Sequence, residues 1–200
     1  QGSTLRGYFA SISALYDYLV WEGDIELNPV PSFRKRYLSR LKHQYNGENT
    51  RQLPSIQQAQ LLVASCHLPL TIALVMTLAK TGMRRGENHS LKVDDINLKT
   101  NTIRVPAKAK RSNRLAFIDE ELHDVLVTYL AWRKKHAKSD WLWITTSGGR
   151  IHKDYPGGLL ADLGGALGMH TPGGPLCSKL TPHCFRHFFT SHLRRAGMDP

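Results

Sequence analysis

The chain has 200 residues, 41% of them hydrophobic and 22% charged, with a mean hydropathy of −0.34. That balance describes a soluble globular chain of one large domain, or a small domain plus a medium one, rather than a disordered one. Lysine and arginine number 27 against 16 acids, giving a net charge of +11 and a pI near 9.8, which points to a polyanionic partner, either nucleic acid or an anionic surface.

The elements follow in chain order. Leu5, Tyr8, Phe9, Ile12, Leu15, Tyr16 and Leu19 recur at helical spacing. They predict a helix that ends before Gly23, with Asn28-Pro29-Val30-Pro31 as a stop. One amphipathic helix cannot bury its own apolar face, so it reads as the last piece of a small helical domain. The opening Gln1-Gly2-Ser3 looks like the remainder of a cleavable tag and is left out of that reading. Residues 33–51 are basic and read as a linker, with Asn46-Gly47-Glu48-Asn49 at its centre.

A second unit begins near Leu53. Ser55 and Gln58 form a capping-box pattern opening a helix over residues 56–65. Pro69 starts another helix, apolar nearly all round and therefore central to the core. Its longest apolar stretch, residues 68–79, is too short to cross a bilayer, which needs about 20 residues. Thr81-Gly82 breaks it, and a short helix follows from about Arg84. The period then changes. Val93, Ile96, Ile103 and Val105, then Leu115, Phe117 and Ile118, predict three short strands with turns at 97–101 and 107–113.

Asp119 caps a long helix. Trp141-Leu142-Trp143-Ile144 is a short apolar stretch before the turn Ser147-Gly148-Gly149. Residues 148–174 hold nine of the sixteen glycines but match no phosphate-cradling pattern, so they read as loops around one helix at 159–167. Thr181-Pro182 opens a last helix over 183–196. The predicted fold is mainly α with a small antiparallel sheet of three strands. Three cysteines are too few for a disulfide scaffold and point to a reducing compartment.

The positive charge falls in three runs: Arg34, Lys35, Arg36, Arg40, Lys42 and Arg51; Arg104, Lys108, Lys110, Arg111 and Arg114; and Arg133, Lys134, Lys135 and Lys138. Any one run can be a solvated face, whereas three on different elements suggest a binding surface.

Two segments carry chemistry, residues 81–87 and 180–188, about a hundred residues apart. Each sets an arginine at the start of a helix beside a loop. Guanidinium forks match the non-bridging oxygens of a phosphodiester under attack and stay charged at any relevant pH. Arg84 and Arg186 could thus form an anion clamp that lowers a phosphoryl-transfer barrier. The plain alternative is that Arg84 pairs with Glu87 and Arg186 caps a neighbouring carbonyl, and residue types alone favour it. His183 and His187 have an i, i+4 zinc spacing, but Cys184 stands where the zinc-protease pattern needs Glu. Structural or catalytic histidines are therefore favoured over a metal site. His183, at the first helical position, suits a bound phosphate. His187, one turn deeper, is expected to face the core.

Thr-Gly-Met-Arg-Arg-Gly-Glu at 81–87 resembles the first arginine box of the tyrosine recombinase (phage integrase) family. Leu-Thr-Pro-His-Cys-Phe-Arg-His-Phe-Phe-Thr-Ser-His-Leu at 180–193 resembles its second box, with the His-x-x-Arg core. Residues 103–110 look like the lysine-bearing hairpin between them. Residues 13–19 with Asn28-Pro29 are similar to the last helix of the family's core-binding domain. The resemblance implies part of that domain over 4–33, a basic linker at 34–52 and a catalytic domain over 53–200.

It implies that Arg84 and Arg186 hold the scissile phosphate and that His183 assists proton transfer. Lys108 is the implied general acid, with Lys110 the runner-up because the turn length leaves the register open. Glu87 and His187 are implied as structural support. Arg34, Lys35, Arg36, Arg85, Lys110, Arg111 and Arg114 are expected on DNA. No metal, ATP or other cofactor is implied.

The implied function is site-specific recombination through a covalent 3′-phosphotyrosine link. The alternatives are relaxation of DNA like a type IB topoisomerase and a non-catalytic DNA-binding module. Double-stranded DNA and further recombinase subunits, four on DNA in the full-length form, are the expected partners, with no membrane. The expected location is the cytoplasm (on the nucleoid) of a prokaryote, or a phage or mobile-element source. The family's nucleophile lies a few tens of residues past the second box, whereas the seven tyrosines here all precede His183. The expectation is a chain cut short before that segment. Tyr155, beside His152 and Lys153 in a glycine-rich region read as mobile, is the less favoured substitute.

Overall fold

The structure, a computed structural model, describes residues 2–38, 51–106 and 114–198. The chain divides into two compact units, 1–46 and 47–200.

In the first unit, α1 (Gly2–Glu22) is followed by α2 (Val30–Phe33) and a π-helical turn, Arg34–Leu38. Asn28 ties the two helices. Its Nδ2 donates to Asp17 Oδ1 at 2.7 Å and to Ser13 O at 3.1 Å, and its Oδ1 accepts from Val30 N at 2.9 Å. Phe33 stacks on Phe9 at 5.4 Å between centroids. The stretch expected as a stop is therefore a start: α1 already closes at Gly23, whose φ is 85°, and the prolines open α2. Proline near a helix start costs no hydrogen bond, because those N–H groups lack an intrahelical acceptor. Arg34, Lys35 and Arg36 consequently ride on helical backbone rather than in an extended linker. Leu15 and Trp21 of α1 are exposed, Trp21 at 79%.

The second unit is built on α4 (Pro69–Thr81), flanked by α3 (Ile56–Ala64), α6 (Glu120–His136), α7 (Tyr155–Ala166) and α8 (Pro182–Arg195). The Ser55–Gln58 capping box is present at the start of α3. Asp119 caps α6, its Oδ1 accepting from Leu122 N at 3.0 Å. Two apolar clusters meet on α4. Leu74, Met83, Leu91, Ile103 and Leu126 lie on one side, and Leu62, Leu78, Leu160 and Phe185 on the other.

The short helix α5 (Arg85–His89) leads into a single 3-10 turn at Val93–Asp95 and then the sheet β1 (Ile96–Asn97), β2 (Thr102–Val105), β3 (Arg114–Phe117). The strands are antiparallel in sequence order, with Ile103 opposite Ala116 and Val105 opposite Arg114. Val93 therefore belongs to a helical turn. Ala116 on β3 and Ile118 just past its end point inward, while Leu115 (57%) and Phe117 (75%) are exposed. The alternation of a strand allows only one of the two sets inward, and Ile103 fixes which.

Arg133 is 8% exposed and donates to the carbonyls of Ser139, Trp141 and Leu142. It fastens the loop after α6 and does not belong to a basic outer face. The helix expected at 159–167 also needs correction: α7 starts at Tyr155, four residues earlier, with Pro156 in its first turn.

Candidate functional site

The site grows from the end of α4. Gly82 closes that helix in the left-handed region, at φ 57°. A Cβ there would lie 2.4 Å from Cδ1 of Phe189, because α8 packs directly over this turn. Two residues on, the extended backbone of Arg84 (φ −67°, ψ 149°) forms the N-cap of α5. Glu87, three residues further, reaches back to it.

That carboxylate gathers three donors. Oε2 accepts the Arg84 backbone N–H at 2.9 Å and Arg114 Nη2 at 2.9 Å, and Oε1 accepts Arg84 Nη1 at 2.9 Å. Glu87 is buried, which opposes ionisation. The Arg84 N–H and the guanidinium groups of Arg114 and Arg84 outweigh that cost and hold its pKa at about 2.

The second arginine arrives from α8. Arg186 Nη1 donates to the carbonyl oxygen of Gly82 at 2.8 Å. His183 and His187 lie on the same outer face of α8, rings edge to face at 4.7 Å. Partial desolvation lowers the pKa of His183 although its ring is exposed, and the positive charges of Arg51, His187, Arg186 and Arg84 lower it further. Those charges therefore share one neighbourhood, and the imidazole stays neutral at neutral pH. Both contacts of the plain alternative exist, and the second sets the Arg186 guanidinium on the carbonyl of Gly82, two residues before Arg84.

His187 is exposed, contrary to the core position expected of it. The core face of α8 belongs to Cys184 and Phe185, so a residue four from His183 falls on the outside with it. His183 is the second helical residue, after Pro182, rather than the first. Arg85 pairs with Asp154 at 2.8 Å. Tyr155 is half-buried in the first turn of α7, where burial raises its pKa. It is not the mobile tyrosine that a substitute nucleophile would need to be. Lys108, Lys110 and Arg111 lie outside the described residues. Arg34, Lys35 and Arg36 lie in the first unit.

The sequence does not show two of the contacts made here. Arg114 stands on β3 and is expected on DNA, not on Glu87. Only the strand register shows that it faces Glu87. Arg51 was grouped with the linker, and no local pattern ties it to His183. A third, Arg150, secures the far end of α5: Nη2 meets His89 Nδ1 at 2.9 Å and the His89 carbonyl at 2.7 Å, and its guanidinium lies 3.4 Å above the Trp141 ring. Among the described residues no group of three or more His, Cys, Asp or Glu could hold a metal ion. No described helix is long and apolar enough to cross a membrane.

The helical unit with its three-stranded sheet and paired arginine turns has the architecture of tyrosine recombinase catalytic domains. It resembles the Tn1549 transposon integrase solved with a circular intermediate DNA at a TM-score of 0.78 and 20% identity, covering 99% of this chain and 68% of that one. It matches the XerA recombinase at a TM-score of 0.65 and 25% identity, over 94% of this chain and 69% of that one. Residues 51–200 match the phage integrase family, and the chain belongs to that family. Tyrosine recombinase XerC of Thermodesulfovibrio yellowstonii is 28% identical over 98% of this chain and 62% of its own length. Tyrosine recombinase XerD of Listeria monocytogenes serotype 4b is 23% identical over the whole of this chain and 66% of its own. The chain thus spans about 62% of the XerC relative's length.

Proposed function

We propose that the protein is a site-specific DNA recombinase that cuts and rejoins strands through a 3′-phosphotyrosine link. The observation that carries this reading is the Arg186–Gly82 hydrogen bond, which sets the Arg186 guanidinium against the turn from which Arg84 issues. Arg84 and Arg186 hold the non-bridging oxygens of the scissile phosphate. A tyrosine hydroxyl attacks the phosphorus, His183 in its neutral form takes up the hydroxyl proton, and the 5′-oxygen leaves. Lys108, with Lys110 as the other candidate, returns a proton to that oxygen. The phosphotyrosine bond keeps the energy needed for rejoining.

All seven tyrosines of this sequence precede His183, so none stands at the position expected of the family's nucleophile. Residues 4–33 belong to a core-binding domain, 34–52 to a linker and 53–200 to the catalytic domain. The substrate is duplex DNA, bound with help from Arg34, Lys35, Arg36, Arg85, Lys110 and Arg111. Recombination proceeds in an assembly of four subunits on DNA, in the cytoplasm of a prokaryotic cell.

The test is a nicked suicide duplex incubated with a form of the protein that carries the tyrosine segment. An SDS-resistant adduct is expected. Arg84→Ala or Arg186→Ala should lower its rate by about 10²–10³, the usual loss for one charge-stabilising donor. Duplex binding measured by anisotropy should persist in both variants and fall steeply with salt. Unchanged adduct formation in both variants would overturn the proposal.

A further inference from the structure

Glu87 is shared by two arginines in an uneven way. Arg84 gives it one guanidinium nitrogen, Nη1, at Oε1, while Oε2 takes the Arg84 N–H and Arg114 Nη2, each at 2.9 Å. A carboxylate and a lone guanidinium prefer a forked pair, two parallel N–H···O bonds using both oxygens. In such a pair the two charges cancel. Here one carboxylate faces two guanidinium groups, so the three side chains together keep one positive charge.

The place of Arg114 is set by the fold. It lies opposite Val105 on the strand ladder, two residues before the inward-facing Ala116. Its side chain is partly exposed, at 39%, but its Nη2 ends on a carboxylate that is only 11% exposed.

We infer that Arg114 is a positioning residue: by occupying Oε2 of Glu87 it stops Arg84 from closing a forked, self-neutralising pair and leaves the Arg84 guanidinium directed to phosphate. This inference rests on the proposed role of Arg84. It assigns Arg114 to the phosphate-binding turn through Glu87, instead of to the DNA surface where its charge run had placed it.

The experiment is a double-mutant cycle in the nucleophile-bearing form, read as single-turnover cleavage of the nicked suicide duplex. Arg114→Ala should slow cleavage by about 10- to 100-fold, in line with a coupling of roughly 1.4–2.8 kcal/mol. Arg114→Lys should recover most of the rate, since a point charge can still occupy Oε2. In a Glu87→Gln background, which removes the anion, Arg114→Ala should add little. A merely structural role would give no lysine rescue together with a matching loss of thermal stability.

A second reading uses the 200-residue chain itself. The Glu87 carboxyl carbon, followed by NMR, should titrate at higher pH in Arg114→Ala than in the wild type. Wild-type cleavage by Arg114→Ala, or an undiminished Arg114→Ala defect in the Glu87→Gln background, would overturn the inference. Wild-type cleavage by Arg84→Ala would instead overturn the proposed function, so the two failures are separable.

Discussion

Arg186 and Gly82, 104 residues apart in sequence, are joined by a 2.8 Å hydrogen bond from Nη1 to the glycine carbonyl. The same glycine supports the ring of Phe189, one turn along α8. Ordinary helix packing thus fixes the distance between the two arginine turns. The carbonyl is available because α4 ends there, and a helix end leaves acceptors without intrahelical partners.

Gly82→Ala should therefore loosen the site. A left-handed φ costs a non-glycine residue roughly 1–2 kcal/mol, and the new methyl would overlap the Phe189 ring at Cδ1. Urea unfolding of the variant should show a loss of about 1–3 kcal/mol. Adding Phe189→Leu should recover the part due to overlap but not the part due to φ. Full recovery, or no loss at all, would contradict the packing argument.

Glu87 gives a pH prediction. Its folded pKa of about 2 lies below the ordinary 4.5, so folding favours the ionised form. The stability gained is present above the ordinary value and disappears as pH falls through the folded one. The shift amounts to on the order of 3 kcal/mol. The stability difference between wild type and Glu87→Gln should therefore shrink between pH 5 and about pH 2. A difference constant over that range would show that the carboxylate charge is not what Arg84 and Arg114 recognise.

Much of this site was legible beforehand because its pieces are local. The Ser55–Gln58 box, the glycine break at 82, the Thr181-Pro182 opening and both arginine boxes are short patterns with their own backbone logic. What escaped were facts of register and facing. Arg114 meets Glu87 only because Val105 pairs with it. His187 turns outward only because Cys184 and Phe185 claim the inner face of α8. Arg133 looked like surface charge, yet the carbonyls it satisfies come from a loop beyond its own helix. Tyr155 read as loop because the glycines after it suggested one, whereas Pro156 begins a helix that leucines at 159, 160 and 163 then pack.

Lys108 and Lys110 can be told apart by leaving-group chemistry. A general acid is needed only while the departing 5′-oxygen is basic. A substrate with sulfur in that bridging position leaves as a weakly basic thiolate and needs no proton. The lysine that acts as the acid should, when changed to alanine, cleave the oxygen substrate about 10²–10⁴ times more slowly and the sulfur substrate at nearly the wild-type rate. The other variant should show equal, modest losses on both substrates, as expected of a backbone contact. Sulfur rescue of neither variant would remove the hairpin lysines from the proton transfer.

His183 sets the protonation state of the site. Partial desolvation is the first cause of its lowered pKa, and the charges of Arg51, His187, Arg186 and Arg84 act in the same direction. A histidine whose folded pKa lies below its unfolded value favours the neutral form in the fold. Its contribution to stability is present above the unfolded value and is lost as pH falls below it. The neutral ring is also the form able to accept the tyrosine proton, so the acid limb of cleavage should lie below the ordinary imidazole range. Two causes can be separated by salt, because added ions screen exposed charges but leave desolvation untouched. The His183 ring proton, followed by NMR in this chain, should titrate below the value of a free histidine side chain. Arg51→Ala should raise that midpoint, and so should high salt acting on the wild type. In Arg51→Ala the response to salt should be smaller, since one of the charges being screened is gone. A wild-type midpoint above neutrality would mean that the ring is charged at neutral pH, and His183 would then serve the phosphate as a donor instead of the tyrosine as a base.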